Sequence, residues 1–384
     1  MESLTIQRET MATVEDLRSF LERGSADLQP AVCRRLEQAL MFSVCVGLGD
    51  VSRLWICSIN CGSRMVGAAI LVSEISSIFY SLGPLRLGRS AIDRLRIAGD
   101  ALLVWSDADP RLAAALEHLL QFLRQDVDKP ITLQWASRGG KLEGLARSAA
   151  MSKAFIVQDI GEFRPRFWIE SSDDFAKYLA SLGSSSRQTF RYSLRRLIRE
   201  MEGQVRLQRF IRVEEIEGFL RDAASVSVHT YQWQELGLGL KNREMVGRRM
   251  QLNARLGYLR SYVLYCRDKP VAFIEGYQAG ALFVFYQIGY LPEFSKLSAG
   301  TVAVLEALRD LMDSEQSPSV FDFLPGVDDY KRRMSNRSAE ERTSYLFPRT
   351  LKWRLSAMTL GCLGTMTRWA VRVKGFARRR LGRQ

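Results

Sequence analysis

Three stretches hold side chains whose types and spacing suit chemistry. In "FDFLPGVDDYK" (Phe321–Lys331), Asp322 stands between two phenylalanines, and Tyr330 and Lys331 follow Gly326 in a loop that should enter a helix. In "VAFIEGYQ" (Val271–Gln278), Glu275 likewise interrupts an apolar, strand-like run. A carboxylate so placed either opens onto a cleft as an acid or base, or is satisfied by a backbone or basic partner. In "FSKLSAGTVAVLEAL" (Phe294–Leu308), Leu297, Ser298, Ala299, Gly300 and Thr301 bring small residues directly before a long periodic apolar run. The first turn of a helix leaves N–H groups unpaired and carries partial positive charge, so a pyrophosphate can rest there if the side chains are small. Ser298 as an ordinary N-cap is the simpler reading of the same residues.

The elements that must carry these residues recur along the chain. "RMVGAAIL" (Arg64–Leu71) reads like "KPVAFIEG" (Lys269–Gly276), and each follows a strand-like run and a polar turn. "IFYSLGP" matches "VFYQIGY", which pairs Tyr80 with Tyr286; "DPRLAAALEHLLQFL" parallels "SAGTVAVLEALRDLM"; "KPITLQW" parallels "SPSVFDF". Each half therefore reads strand, turn, strand, strand, helix, strand. The duplication supplies a comparison. Where the second half has Ser298-Ala299-Gly300, the first has Asp109-Pro110-Arg111, with a repelling carboxylate, a missing donor and a bulky cation. An anion cradle is expected in the second half alone. Asp322 faces Leu133 or Gln134 in the same comparison, so the acid is also confined to the second half.

Between the halves, "GSSSRQTFRYSLRRLIRE" opens with cap-forming serines and continues as a basic helix, expected over 184–202. Arg187, Arg191, Arg195 and Arg199 recur at steps of four, opposite an apolar face of Phe190, Leu194, Leu197 and Met201. Arg187 and Arg191 are candidates to receive an anionic substrate, with a solvated basic face as the alternative. Trp233 in "HTYQWQELG" is a candidate to line an acceptor pocket, or else a packed tryptophan.

At 384 residues, two domains are expected. The formal charge of +13 is uneven: from Arg349 onward there are ten Lys/Arg and no Asp or Glu, which leaves +3 on the first 348 residues. That tail, rich in Leu, Met and Trp, suits an interfacial helix at an anionic membrane surface, with nucleic acid the lesser candidate. Its longest uncharged run, Leu355–Thr367, is too short to span a bilayer. Six cysteines without paired CxxC spacing, and only His118 and His229, argue against a zinc site and for reduced, largely buried thiols. No metal is expected. The N-terminal stretch lacks a secretory apolar core, and a cytoplasmic protein, peripheral at the inner membrane face, is the expectation.

Taken together, "RDKPVAFIEGYQ", "FYQIGYLPEFSKLSAGT" and "FDFLPGVDDYKRRM" resemble the GNAT acyltransferase superfamily, and more narrowly its CelD/BcsL-like branch, related to the FemAB-like tandem transferases. Those proteins likewise join two GNAT-like halves by a basic helix, here "RYSLRRLIRE". The general Gln/Arg-x-x-Gly-x-Gly/Ala signature is replaced by "KLSAGT". The resemblance implies an α/β (α+β) protein of two tandem GNAT-like halves, each a mixed central sheet flanked by helices. The expected divisions are 1–165, 166–345 with the active site, and a basic tail over 346–384.

The implied reaction moves an acyl group, usually from acetyl-CoA or another acyl-CoA, to an amine or hydroxyl acceptor, often in exopolysaccharide or cell-envelope glycan synthesis. Leu297–Thr301 would cradle the cofactor. Asp322 or Glu275 would act as base and Tyr330 would protonate the leaving thiolate. Lys331, Arg187, Arg191, Trp233 and Tyr286 would meet the substrate, Tyr286 having the weaker claim because the first half keeps a tyrosine. FemAB relatives instead take aminoacyl groups from charged tRNA. A third reading is a silent GNAT-fold subunit of a polysaccharide synthesis complex.

Overall fold

The structure, a computed structural model, describes the chain apart from residues 1–3, 10, 47–49, 83–84, 99–114, 116–117, 120–121, 124–128, 231–239, 241, 327 and 382–384. Strand β1 (Leu4–Glu9) precedes helices α1 (Val14–Asp27) and α2 (Pro30–Val46). Strands β2 (Leu54–Cys61), β3 (Arg64–Leu82), β4 (Leu85–Ala98) and β5 (Ile131–Ser137) follow, then short helices α3 (Lys141–Ala146) and α4 (Ala149–Ala154). Strand β6 (Phe155–Glu170) leads to helices α5 (Phe175–Ser181) and α6 (Ser184–Glu200), strand β7 (Val205–Phe210), and helices α7 (Ile216–Ser227) and α8 (Arg243–Arg255). Strands β8 (Ser261–Cys266), β9 (Lys269–Ala279) and β10 (Leu282–Tyr290) come next, followed by helix α9 (Ala299–Met312) and strand β11 (Val320–Pro325). Helix α10 (Asp329–Met334), strand β12 (Arg337–Pro348) and helix α11 (Leu351–Leu381) end the described chain.

Two compact units emerge: Met1–Thr10 with Arg53–Phe163 and Glu341–Gln384, and Met11–Ser52 with Arg164–Glu340. The breaks at Phe163/Arg164 and Glu340/Glu341 lie close to the divisions expected after residues 165 and 345; the difference is that Met11–Ser52 joins the second unit and the tail joins the first. Helix α2 contributes Met41 and Cys45 to the core of the second unit. Helix α11 buries Trp353 and Ala357 against Tyr345, Phe347 and Ile78 of the first.

The strand order is β1-β2-β3-β4-β5-β12 in the first unit and β7-β8-β9-β10-β11-β6 in the second. In each, the fourth and fifth strands are parallel and the other pairings among the described residues antiparallel. The likeness extends to local irregularities. Both second-to-third strand hairpins turn through two residues, at Gly62-Ser63 and Arg267-Asp268, with Gly62 at φ 62° and Arg267 at φ 47°. Both then carry an extra, unopposed residue at Val66 and Val271, the same place in "RMVGAAIL" and "KPVAFIEG". Bulges of this kind fix register, so the shared bulge supports the sequence pairing.

One pairing was a strand out. "IFYSLGP" lies at the end of β3, which runs unbroken for 19 residues, and β4 is the topological counterpart of β10. Alternation continues through "VSEISS", so the chain has no cause to turn before Leu82. Tyr80 is therefore not the equivalent of Tyr286. The turn at Asp109-Pro110-Arg111 lies outside the described residues; after it, Ala115, Leu119 and Leu123 are helical and buried, at steps of four.

Candidate active site

Strands β10 and β11 pair only from Leu282/Val320 to Val284/Asp322 among the described residues. Beyond that point β10 stays on β9 as far as Tyr290, while β11 turns away after Asp322, where Leu324 takes φ 57° and Gly326 φ 155°. Parallel strands that part at their carboxyl ends leave a crevice, the usual ligand position in such sheets. A cleft of about 470 Å³ lies here, walled by Ile288 and Tyr290 of β10, by Ser298, Gly300 and Thr301, and by Asp328 and Tyr330.

Helix α9 presents its N-terminus to this cleft. Ser298 adopts a left-handed conformation (φ 56°, ψ 36°) and its side chain does not cap the helix, so the simple N-cap reading fails. The first-turn N–H groups therefore have no side-chain acceptor, and a left-handed serine costs on the order of 1 kcal/mol. Such uncapped donors at a strained turn suit an anion. Of the five residues expected to cradle a cofactor, Ser298, Gly300 and Thr301 line the cleft; Leu297 and Ala299 pack into the core, Ala299 completely buried. Gly300 is small for a second reason: a Cβ there would stand 2.7 Å from Tyr290 Cδ1. The ring of Tyr290 rests against the turn.

Tyr330 projects from α10 with its ring edge-on to Phe323. Burial first, then the charge of Asp328 and the nearby Tyr290, push its phenol well above the ordinary tyrosine range. It therefore stays protonated at neutral pH, as a proton donor must. Lys331 pairs with Asp328, Nζ to Oδ2 3.2 Å, and does not itself line the cleft. Asp328 is the carboxylate in the described lining. No apolar strand frames Asp328 in the sequence, so nothing there distinguishes it from the neighbouring loop polar residues, although it stands two residues before Tyr330.

Those strand acids are held elsewhere. Asp322 Oδ1 accepts from Arg166 Nε at 3.0 Å and from the Leu324 N–H at 2.8 Å, while Oδ2 receives the other arm of the guanidinium. This pair tethers β6 to β11 at the point where β11 breaks away, and Asp322 is absent from the described cleft lining. Asp322→Asn should therefore cost about 2–4 kcal/mol of stability, read from denaturant midpoints. Unchanged stability with lost turnover would instead return Asp322 to the chemistry.

Glu275 is completely buried. Its Oε1 accepts from Arg249 Nε at 2.8 Å and Nη2 at 2.6 Å, and from the Tyr277 hydroxyl. Its Oε2 has no hydrogen-bond partner in the structure. Tyr286 is the extra residue of a bulge between Phe285 and Gln287, and its ring lies 4.5 Å from the Arg249 guanidinium. The four form one cluster, with Glu275, Arg249 and Tyr277 buried and Tyr286 half-buried, and neither Glu275 nor Tyr286 is in the described cleft lining.

The basic helix forms as expected, over Ser184–Glu200, with Phe190 and Leu197 buried. Arg187 donates to the Ala180 carbonyl at 2.7 Å; Arg191 is exposed. Both line an open, acid-free groove of about 640 Å³ with Tyr192 and Arg195, and this groove shares no described lining residue with the cleft at α9. Trp233 lies outside the described residues. Among the described residues no helix is long and apolar enough to cross a membrane.

Residues 184–332, from the start of α6 into α10, match the family described as Acetyltransferase (GNAT) domain. Among solved structures the chain is similar to the crystal structure of FemX, at 10% identity and a TM-score of 0.53, covering 77% of this chain and 88% of that one. It is also similar to a tandem GNAT protein from the clavulanic acid biosynthesis pathway, at 13% identity and a TM-score of 0.48, covering 91% of this chain and 100% of that one. A comparison with curated proteins finds no match. The cleft described above falls inside the matched segment, and residues 184–332 are thereby marked as an acyltransferase domain of the GNAT type.

Proposed function

We propose that the protein transfers an acyl group, acetyl in the simplest case, from acyl-CoA to an amine or hydroxyl acceptor, in the manner of the CelD/BcsL-like branch and in exopolysaccharide or cell-envelope glycan synthesis. The observation that carries this reading is the uncapped N-terminus of α9 at the mouth of two diverging parallel strands, inside the GNAT-matched segment. The pyrophosphate of the donor rests on the backbone N–H groups of the first turn of α9, with the thioester directed between β10 and β11. The acceptor nitrogen or oxygen attacks the carbonyl carbon, forming the new C–N or C–O bond and breaking C–S. Asp328 takes the proton that the acceptor loses. Tyr330 gives its proton to the departing thiolate, and solvent restores it. Lys331 holds Asp328 in place through their ion pair. The groove along α6 receives an anionic part of the acceptor through Arg187 and Arg191.

Titration calorimetry with acetyl-CoA, followed by an assay of thiol release with amino-sugar acceptors, tests the proposal. Binding followed by acceptor-dependent release of coenzyme A is expected; the absence of both overturns it. Tyr330→Phe should lower kcat about 100-fold and leave acetyl-CoA affinity unchanged. Because the phenol of Tyr330 is raised above its ordinary value, its proton is lost only at high pH. The wild type should therefore show no alkaline fall in kcat from this group below pH about 10, and an earlier fall abolished by Tyr330→Phe would contradict the assignment.

A second reading, aminoacyl transfer from charged tRNA in the FemAB manner, is favoured by one feature. Arg191 and Arg195 are exposed on a helix that carries no acid before Glu200. It predicts retention of charged tRNA in a filter-binding assay, competed by uncharged tRNA and not by acetyl-CoA.

A further inference from the structure

Helix α11 uses one side to complete the first unit, with Trp353 and Ala357 buried and Leu360 partly so. Its other side carries Leu351, Leu355, Met358 and Met366, exposed at 75%, 58%, 66% and 54%. With exposed Cys362 they recur at steps of four, three, four and four. At 3.6 residues per turn all five fall within an arc of about 80°, diametrically opposite Trp353 and Ala357. Lys352 and Arg354 flank this arc on its two sides, and both are exposed. Large apolar side chains aligned on the solvent side of a well-packed helix indicate a contact surface rather than scatter.

We infer that this face docks on an anionic lipid surface, with Leu351, Leu355, Met358, Cys362 and Met366 entering the headgroup boundary and the flanking cations meeting lipid phosphates. Charge selects this occupant. From Arg349 to the end the chain has ten Lys/Arg and no acid, so a second copy laid on the same face would oppose cation to cation, whereas anionic lipid neutralises it. The apolar arc selects against nucleic acid, which offers phosphate and no hydrocarbon to receive it. The tertiary structure also decides orientation: Trp353 is buried in the fold, and the described residues on the lipid-facing arc are leucine, methionine and cysteine. This inference does not depend on the acyl-transfer reading.

The full chain is to be sedimented with phosphatidylglycerol-containing vesicles and, separately, with vesicles of phosphatidylcholine alone. Partition to the anionic vesicles only is expected. Leu355→Asp/Met358→Asp should weaken that partition at least about tenfold, with an unchanged thermal midpoint because both sites are exposed. Lys352→Gln/Arg354→Gln should weaken it by about fivefold per charge. Vesicle binding insensitive to the aspartate pair, or equal on both lipids, overturns the inference. So does a lipid-free dimer seen by light scattering that the aspartate pair converts to monomer, since a second copy then covers the face.

Discussion

Gly300→Glu is expected to weaken acetyl-CoA binding at least about 100-fold, measured by titration calorimetry, without unfolding the protein. Two causes act together. The residue stands in the first turn of α9, where uncapped N–H groups face the cleft and a new carboxylate repels the donor's pyrophosphate. A glutamate at a helix N-terminus is otherwise favourable to the helix, so lost binding is not a sign of a lost fold. The steric part can be separated with Gly300→Ala. Its Cβ would stand 2.7 Å from Tyr290 Cδ1, so the ring must turn away at a cost of about 1–3 kcal/mol. Removing the ring in a Gly300→Ala/Tyr290→Ala double variant should recover most of that stability. Near-wild-type affinity in Gly300→Glu would mean that the donor does not sit on this turn.

The second large effect concerns the buried ion pair. Arg249→Met should destabilise the second unit by about 3–5 kcal/mol, because it leaves the Glu275 carboxylate uncompensated in a fully buried position. Glu275→Met in the same chain should restore much of the loss, since replacing a buried pair by packed apolar groups is often nearly neutral. Denaturant melts of both single variants and the double variant read the coupling directly. Cys45, whose thiol burial pushes far above its ordinary value, packs beside the pair and should stay unreactive to thiol reagents until the unit unfolds. Equal losses in the single and double variants would show that the ion pair is not what Arg249 contributes. Tyr286 packs on the Arg249 guanidinium at the β10 bulge, so the integrity of the ion pair and the shape of β10 are tested together.

What was legible in the sequence follows from what is local. Strand alternation, two-residue hairpins and helix spacing depend on neighbours a few positions away. That is why the pairing of "RMVGAAIL" with "KPVAFIEG", the helix at Ser184–Glu200 and the helix start at Ser298–Thr301 could be placed from residues alone. The same locality misled where no turn residue interrupts a strand, and β3 ran on through "IFYSL". The start of α9 was legible because small residues directly precede an apolar periodic run. Its left-handed Ser298 and the ring of Tyr290 against Gly300 were not.

The carboxylates show the limit most clearly. Asp322, Glu275 and Asp328 are equivalent on paper: acids in or beside apolar strands. What separates them is which cation the fold brings near. Arg166 reaches Asp322 across 156 positions of chain, and Arg249 meets Glu275 through the packing of α8 on the second unit. An ion pair of this kind is created by topology and leaves no periodic trace, since each partner is chosen by the packing of distant elements. Asp328, with Lys331 one turn away and the cleft in front, is the acid left facing the space where a donor would lie. The residues alone determined that this chain folds as two like halves with an anion-ready turn in the second. Tertiary packing, by pairing two of the three acids with arginines brought from distant elements, decided which acid remained beside Tyr330.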